Sequence, residues 1–355
     1  MVMSIVDSKI DVYKPKNANR TKVILVDQSD VAAELDRGME KDGGFSADTW
    51  KATGAMSIIK IFGDITKAFI GQCRHMLTSK KLFDELRAEK FDAAYSEIFD
   101  ICAAPLWDQL GIKNFAITQS LSLMDGAYDI HGMLTVPSYV PGALSNSNDR
   151  MTFLERLKNF LTFASMKLIG TRFLVRGYLE MFDEIFPGKY TDYYEMYAPA
   201  SLVFLNAEPL VEFPRPTSHK VIEIGGIQTT SHKKLNKEWS DILSLRPKTV
   251  LISFGSVAKS YLMPDAYKQA IRETIKRFPD VTFIWKYEKP EDRVEKGIEN
   301  LVVKSWVPQN DLLHDDRLTL FITHCGAGST MEATIAGVPL VVIPLIGDQQ
   351  RNAQV

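Results

Sequence analysis

Short runs of β-branched and aromatic residues alternate with longer stretches of helical periodicity along most of the chain. The runs TVLISFGS (249–256), VTFIWKY (281–287) and LTLFITHCG (318–326) are typical of strands, and helix-period stretches lie between several of the strand-like runs. Such alternation is characteristic of α/β domains with parallel sheets. The pattern therefore predicts doubly wound, Rossmann-like sheets.

A polar segment interrupts this alternation at residues 228–248, with the sequence QTTSHKKLNKEWSDILSLRPK. A new strand and helix pattern starts immediately after it, which is typical of a linker between domains. The chain of 355 residues is long enough for two hydrophobic cores. We expect an N-terminal domain in residues 1–240 and a C-terminal domain in residues 247–355, the second of them cut short.

Charge and cysteine content exclude several classes of protein. The chain has 42 Lys and Arg against 44 Asp and Glu, so its net charge of −2 gives no basic surplus for nucleic acid. Cys73, Cys102 and Cys325 form no CxxC pair and no metal-binding spacing. We therefore expect neither a disulfide framework nor a metal site. No apolar stretch reaches the roughly 18 residues needed to span a bilayer, and the N-terminus lacks the apolar core of a signal peptide.

The turn HCGAGS follows the predicted strand at residues 318–324 and precedes a short helix. Ligands of open parallel sheets bind beyond the carboxyl ends of the strands. Gly326 and Gly328 would let the backbone approach a ligand, and the helix N-terminus at Ser329 would attract phosphate oxygens, to which His324 could donate. The alternative is a structural turn with a histidine at the strand end and no ligand.

Two phosphate-binding motifs are disfavoured here. Met331 occupies the third glycine position of the dinucleotide fingerprint, and the P-loop motif does not occur. Flanking residues instead suit a nucleotide of another kind: Trp306 could stack on a base, Gln309 could contact its edge, and Glu332 could accept hydrogen bonds from ribose hydroxyls.

A sugar could be bound at the end of the apolar run PLVVIPL, where Asp348 and Gln349 offer several donors and acceptors. Base, ribose, diphosphate and sugar would then be contacted in order. Taken singly, Trp306 is equally typical of a packing residue, and Asp348 with Gln349 of a solvated loop.

Residues 306–353, WVPQNDLLHDDRLTLFITHCGAGSTMEATIAGVPLVVIPLIGDQQRNA, resemble the donor-binding signature of UDP-glycosyltransferases of the animal UDP-glucuronosyltransferase type. Segments such as FDAAYSEIFD and VLISFGSVA occur in family order, and the N-terminal half is most similar to nematode members. The resemblance implies a GT-B fold, with two Rossmann-like domains facing a cleft. It also implies inverting transfer of glucuronic acid or glucose from UDP-glucuronic acid or UDP-glucose to small lipophilic hydroxyl compounds, with no cofactor besides this co-substrate.

The resemblance implies a role for each donor-site residue. Trp306 would stack on uracil, Gln309 would contact its edge and Glu332 would bind the ribose. Diphosphate and donor sugar would be held by two further groups of residues: His324, Gly326, Ser329 and the loop Gly255 and Ser256 for the diphosphate, and Asp348 with Gln349 for the sugar. Gly328 stands where many relatives carry asparagine, so one contact there would be made by the backbone alone.

In the family, a base histidine lies after the first strand and a carboxylate holds its tautomer. Glu97 matches the carboxylate, where most vertebrate relatives have aspartate; alternatively it is a solvated acid at a strand end. His75 and His131 are not in the position of the base. We expect the chain to begin after the catalytic loop, to end in the helix following Gln349, and to show negligible turnover as it stands.

The resemblance also implies that the whole protein lies at the endoplasmic reticulum membrane, on its lumenal side. Whole family members have a membrane anchor, which we do not expect in this chain. The chain could also form a homo-oligomer. One alternative function is a non-catalytic UDP-sugar binder that lacks the base histidine. Another is a nucleotide-dependent oxidoreductase, which Met331 disfavours. Titration with UDP and with NAD separates the oxidoreductase from the two UDP-sugar functions.

Overall fold

The computed structural model describes residues 2–4, 22–34, 37, 44–51, 55–122, 125–143, 145–227, 229 and 231–355. Strands in these residues form a two-stranded, a four-stranded and a five-stranded sheet. Every strand pair in the three sheets is parallel. The α/β prediction with parallel sheets is therefore confirmed.

The N-terminal half contains two of these sheets. Its strands are β1 (Val2–Ser4), β2 (Ile24–Val26), β3 (Ala93–Glu97), β4 (Asn114–Gln119), β5 (Leu202–Leu205) and β6 (Val221–Glu223). Strand β1 pairs with β2, and β3 to β6 form one sheet in sequence order. Its helices are α1 (Gly44–Lys51), α2 (Ala55–Thr78), α3 (Lys80–Glu89), α4 (Ala103–Gln109), α5 (Asp125–Ile130), α6 (Phe153–Ser165), α7 (Thr171–Ile185) and α8 (Tyr193–Tyr197).

Two long helical stretches of the N-terminal half differ in detail from the sequence pattern. The stretch at residues 55–90 breaks not at its glycines but at Ser79, whose hydroxyl accepts a hydrogen bond from the backbone N–H of Leu82 and so caps α3. The stretch at residues 151–186 contains α6 and α7, joined by a π-helical turn at Met166–Gly170.

A disulfide joins Cys73 of α2 to Cys102, which directly precedes α4. Both cysteines are buried in the core that α2, α3 and α7 form around β2. Their separation of 29 residues gives no local spacing signal, so the sequence did not predict this disulfide.

The C-terminal half is built on a five-stranded sheet with the order β11-β10-β7-β8-β9. Its strands are β7 (Lys248–Ser253), β8 (Val281–Lys286), β9 (Leu301–Lys304), β10 (Leu318–Thr323) and β11 (Leu340–Val342). This is the strand order of a Rossmann fold, in which the first strand is central and the order of the strands reverses beside it. Its helices are α9 (Lys237–Leu243), α10 (Asp265–Lys276), α11 (Gln309–Leu313), α12 (Ala327–Ala336) and α13 (Gln349–Asn352).

Both faces of the five-stranded sheet are covered. Along β7, Val250 and Ile252 point into the core on the side of α10, whereas Leu251 points into the core on the opposite side. Because side chains alternate along a strand, burial on both faces produces the continuous apolar run seen in the sequence.

The predicted linker contains α9, which packs onto the C-terminal sheet. Trp239 and Leu243 of α9 are buried in the same core as Leu251 and Phe321. Asn236 caps the helix by accepting a hydrogen bond from the N–H of Trp239 at 3.1 Å. Leu235 and Ile242 also pack against this core, so four apolar side chains of a polar segment attach it to the C-terminal sheet.

The two halves contact each other at several points. Trp50 of α1 donates from its indole nitrogen to the carbonyl of Lys259 at 2.9 Å, and its ring meets Phe254 edge to face at 5.1 Å. The backbone N–H of Lys233 donates to Asp311 at 2.7 Å. Across the described part of the chain, no helix combines the length and the apolar character that a membrane crossing requires.

Candidate functional site

The carboxyl edges of the two larger sheets face a shared cleft. Ser122 and Asn206, which follow β4 and β5, line it from one side. Ala327 and Thr330 at the start of α12 and Asn352 of α13 line it from the other. This edge is where open parallel sheets bind ligands, so the cleft is the candidate active site.

His324 lies between two glycines at the end of β10. A Cβ added to Gly255 would come within 2.8 Å of the His324 ring, and one added to Gly326 would also come within 2.8 Å. Gly255 moreover has a φ of +77°. Any other residue at either position would displace the imidazole, which explains both glycines.

The turn after His324 adopts an uncommon backbone conformation. Cys325 is buried and has a φ of +65°, a region that non-glycine residues rarely enter. The turn leads directly into α12, for which Gly326 is the N-cap residue without a capping side chain. The first backbone N–H groups of α12 therefore lie at the edge of the cleft.

Lys286 at the end of β8 is a buried cation that the sequence analysis missed. Its ammonium donates to the carbonyl of Gly255 at 2.8 Å and to Glu288 at 3.1 Å. It also lies 5.4 Å from the ring centroid of Trp306. The sequence does mark Lys286 as a charged residue at the end of an otherwise apolar strand.

Burial, with a smaller contribution from the charge of Lys286, lowers the pKa of His324 to about 4. The imidazole is therefore neutral near pH 7 and donates through one nitrogen only.

Trp306 is 70% exposed in the loop after β9, so one of its ring faces is open to a planar ligand. An aromatic residue of this size is usually buried in a core. The exposed indole therefore favours the ligand-stacking interpretation over the packing alternative.

Gln309, Ser329 and Glu332 form one hydrogen-bonded cluster between α11 and α12. The Gln309 side-chain nitrogen donates to the Ser329 hydroxyl at 3.0 Å and to a Glu332 carboxylate oxygen at 2.7 Å. Burial raises the pKa of Glu332, and the hydrogen bond from Gln309 partly offsets this rise. Three of the residues predicted to bind the nucleotide sugar thus lie together.

Asp348 and Gln349 lie at the start of α13 and are partly used by the protein itself. Asp348 accepts a hydrogen bond from the side-chain nitrogen of Asn352 at 2.6 Å, and burial raises its pKa, which Asn352 and the backbone N–H of Ala327 partly lower. Gln349 is buried, and its side-chain oxygen accepts from the N–H groups of Leu345 and of the following residue. Asp348 therefore lies beside the N-terminus of α12, whereas Gln349 supports the preceding loop.

Gly328 and Ser256 are open to solvent, as Trp306 is. Both are exposed, and a Cβ at Gly328 would meet no atom within 4 Å. A side chain at Gly328 would therefore fit, which is consistent with the asparagine that the resemblance implies for this position.

Arg351 is the basic residue nearest in sequence to Asp348 and Gln349, but it is buried in contacts between the two halves. It pairs with Glu212 and lies 5.0 Å from the ring of Phe213. Glu212 also pairs with Arg215 at 2.7 Å. Arg351 therefore neutralises an acid of the N-terminal half.

Glu97 lies at the carboxyl end of β3, facing the turn after β4. Its two carboxylate oxygens accept hydrogen bonds from the backbone N–H groups of Ser120 at 2.9 Å and Ile98 at 3.2 Å. Burial nevertheless raises its pKa. The carbonyl of Ser120 accepts from Asn206, which lines the cleft. Glu97 is therefore a held, half-buried acid at the cleft end of the sheet, not a freely solvated one.

His75 and His131 occupy unrelated positions. His75 is exposed in the last turn of α2. Neither ring nitrogen of His131 has a hydrogen-bond partner, and burial lowers its pKa to about 4.

The lowered pKa of His324 gives a prediction for stability. The folded-state pKa of His324 lies below the usual 6.5, so the unfolded chain binds more protons between these two values. Stability therefore decreases as the pH is lowered through that window. Replacing His324 with glutamine should make the decrease in unfolding free energy from pH 7 to pH 5 shallower by about 2 kcal/mol. Urea unfolding measures this; an unchanged fall would contradict it, and His75→Gln is the control.

Sequence comparison extends these observations. The profile of the family described as "UDP-glucoronosyl and UDP-glucosyl transferase" matches residues 2–355. The Caenorhabditis elegans relative ugt-55, named as a UDP-glucuronosyltransferase, is 32% identical over 300 residues, covering 83% of this chain and 57% of its own. Human UDP-glucuronosyltransferase 1A9 is 30% identical over 331 residues, covering 90% and 59%. The chain thus spans rather more than half the length of these relatives.

Solved structures share the fold. A Polygonum tinctorium UDP-glucosyltransferase superimposes with a TM-score of 0.53 at 18% identity, over 82% of this chain and 65% of that one. Os79 from O. sativa superimposes with a TM-score of 0.58 at 15% identity, over 99% and 76%. These similarities identify the arrangement of two Rossmann-like domains as GT-B. Because the family match covers residues 2–355, the chain belongs to the UDP-glucuronosyl and UDP-glucosyl transferase family.

Proposed function

We propose that this chain carries the UDP-sugar site of a glycosyltransferase. The observation that carries this proposal is the cluster of Gln309, Ser329 and Glu332 beside the His324 turn, at the carboxyl edge of the C-terminal sheet. A related fold supports it, since Os79 has been solved in complex with UDP.

Each part of the nucleotide has a matching group. The open face of Trp306 suits stacking on uracil. Both donations by Gln309 use its nitrogen, which leaves the amide oxygen to accept from the uracil N–H. The carboxylate of Glu332 suits the ribose hydroxyls. The N–H groups at the start of α12, with Ser329 and neutral His324, would donate to the diphosphate.

The proposed reaction transfers glucuronic acid or glucose, with inversion, to a hydroxyl group of a small lipophilic acceptor. Negative charge develops on the leaving UDP, and the N-terminus of α12 would stabilise it together with the buried ammonium of Lys286 behind Gly255. Asp348 would accept hydrogen bonds from the sugar hydroxyls. Because Arg351 is paired with Glu212, it gives no preference for a sugar carboxylate over glucose.

The acceptor proton must be removed by a general base. We propose that Glu97 positions this base, as a carboxylate fixed by two backbone N–H groups at the cleft end of β3. Family membership favours transfer over sugar binding without transfer.

We further propose a lumenal location for the protein. The buried disulfide between Cys73 and Cys102 supports an oxidising compartment, because disulfides are rare in the reducing cytosol. This is consistent with the endoplasmic reticulum expected from the resemblance.

Calorimetric titration of the chain with UDP, UDP-glucuronic acid, UDP-glucose and NAD tests the donor site. We expect saturable binding of the three uridine nucleotides, no binding of NAD, and no loss of UDP affinity in the presence of EDTA. Binding of NAD in place of UDP would contradict the proposal, and loss of UDP binding with EDTA would contradict a donor site without metal.

A further inference from the structure

Helix α6 has its apolar and polar faces reversed relative to a helix that packs on a core. Five large apolar side chains of α6 are exposed, from 44% for Leu157 to 77% for Phe153. These five residues are called the α6 stripe: Phe153, Leu154, Leu157, Phe160 and Leu161. Apolar side chains normally face the core of a soluble domain, so this arrangement requires an explanation.

The buried face of α6 is held by a polar residue. Asn159 is buried, and its side-chain nitrogen donates to the carbonyls of Pro137 and Val140 at 2.8 and 2.9 Å. Its side-chain oxygen accepts from the N–H of Gly142 at 2.9 Å. Because three hydrogen bonds fix the rotation of the helix, the α6 stripe is held outward.

The α6 stripe is continuous and has basic edges. With about 100° per residue, its five members cover an arc of about 120°. Arg156 and Lys158 each lie about 100° from the centre of this arc, on opposite sides, whereas Glu155 lies about 160° away. Glu155 is engaged at the helix N-terminus in a capping box with Thr152.

The surrounding charge has the same sign. Residues 153–176 contain five basic residues and one acidic residue, a net charge of +4 in a chain whose net charge is −2. Lys167 and Arg176 are paired with Asp129 and Glu180. The positive charge beside the α6 stripe therefore comes chiefly from Arg156 and Lys158. Exposed apolar side chains continue along the chain at Leu168 and Phe173.

We propose that the α6 stripe docks on the surface of a bilayer that contains anionic phospholipid. A helix with an apolar stripe between basic edges lies in the plane of a membrane interface, with its apolar side chains among the acyl chains and its cations at the headgroups. A second copy of the chain is a poorer occupant, because face-to-face docking would bring the two basic edges together. The contact is made by the body of the N-terminal half and needs no spanning helix.

Flotation of the full chain with vesicles tests this proposal. We expect binding to phosphatidylcholine vesicles that increases with added phosphatidylserine and decreases with salt. The double variant Phe160→Ser/Leu161→Ser should bind at least about tenfold more weakly to both kinds of vesicle, because it removes buried apolar area. Lys158→Glu should weaken binding only to the anionic vesicles.

Phe278→Ser/Leu245→Ser is the matched control, because Phe278 and Leu245 are 51% and 56% exposed, against 53% and 57% for Phe160 and Leu161. The control should bind vesicles like the parent, and circular dichroism should show that both double variants are folded. Equal binding by the two double variants, or no vesicle binding by the parent, would overturn the proposal. Sedimentation showing a parent dimer that only Phe160→Ser/Leu161→Ser dissociates would assign the stripe to a second copy instead.

Discussion

Replacing Glu332 or Trp306 with alanine is expected to weaken UDP binding by about 1–3 kcal/mol each, or roughly 5- to 150-fold. Loss of the Glu332 carboxylate removes the proposed ribose acceptor and also releases the Gln309 nitrogen that donates to it at 2.7 Å. Loss of Trp306 removes the exposed indole face. Isothermal titration calorimetry with UDP measures both changes.

Glu299→Ala is a suitable control, since Glu299 is an exposed acid of the same half of the protein. It should leave UDP affinity unchanged. Unaltered affinity in both site variants would mean that UDP binds elsewhere. If only Glu332→Ala lowered UDP affinity, the ribose contact would be supported and the stacking role of Trp306 would be contradicted.

Replacing Glu212 with glutamine is expected to lower the free energy of unfolding by about 3–5 kcal/mol. Glu212 is buried between Arg215 and Arg351. Burial raises its pKa, but the hydrogen bond from Arg351 and the charges of both arginines outweigh this effect, so the net pKa is lowered. The substitution keeps the shape of the side chain and leaves two buried cations without their shared anion.

Urea unfolding of Glu212→Gln measures this loss. The exposed pair Glu273 and Lys276 offers a matched control, and Glu273→Gln should leave stability almost unchanged because solvent screens the pair. Equal effects of the two substitutions would show that the Glu212 pairs do not form in solution. Because Arg351 is a buried residue of α13, the helix that begins directly after Asp348, loss of the pair should also disturb the cleft between the halves.

The sheets of this fold were predictable from local sequence. Val250, Leu251 and Ile252 are apolar in succession because alternate side chains enter opposite cores, and such runs are typical of parallel strands. The strands of the C-terminal sheet therefore followed from the alternation, whereas α9 did not. The proximity of the candidate residues near β10 was equally predictable, because they lie within one strand, turn and helix.

Features that depend on distant contacts were not predictable. Arg351 and Glu212 are 139 residues apart in sequence, and the Cys73–Cys102 disulfide closes a separation of 29 residues. Periodicity reports only on neighbours within a few turns of a helix or a few residues of a strand. Lys286 was missed for a similar reason, because its partners Gly255 and Trp306 lie in the loops that follow two other strands, β7 and β9.

Capping residues mark a second limit. Helical periodicity runs through Ser79, but its hydroxyl ends one helix and begins the next. Asn236 likewise starts α9 inside a polar segment, which Trp239 and Leu243, together with the partly buried Leu235 and Ile242, anchor to the core. In both places a single polar side chain outweighs the pattern around it.

A crystal structure of the chain with bound UDP would locate the nucleotide. We expect the uracil ring to lie against the indole of Trp306, the ribose beside Glu332, and the diphosphate at the N-terminus of α12 next to His324. Nucleotide bound at any other surface, or a ribose that does not contact Glu332, would contradict the proposed donor site.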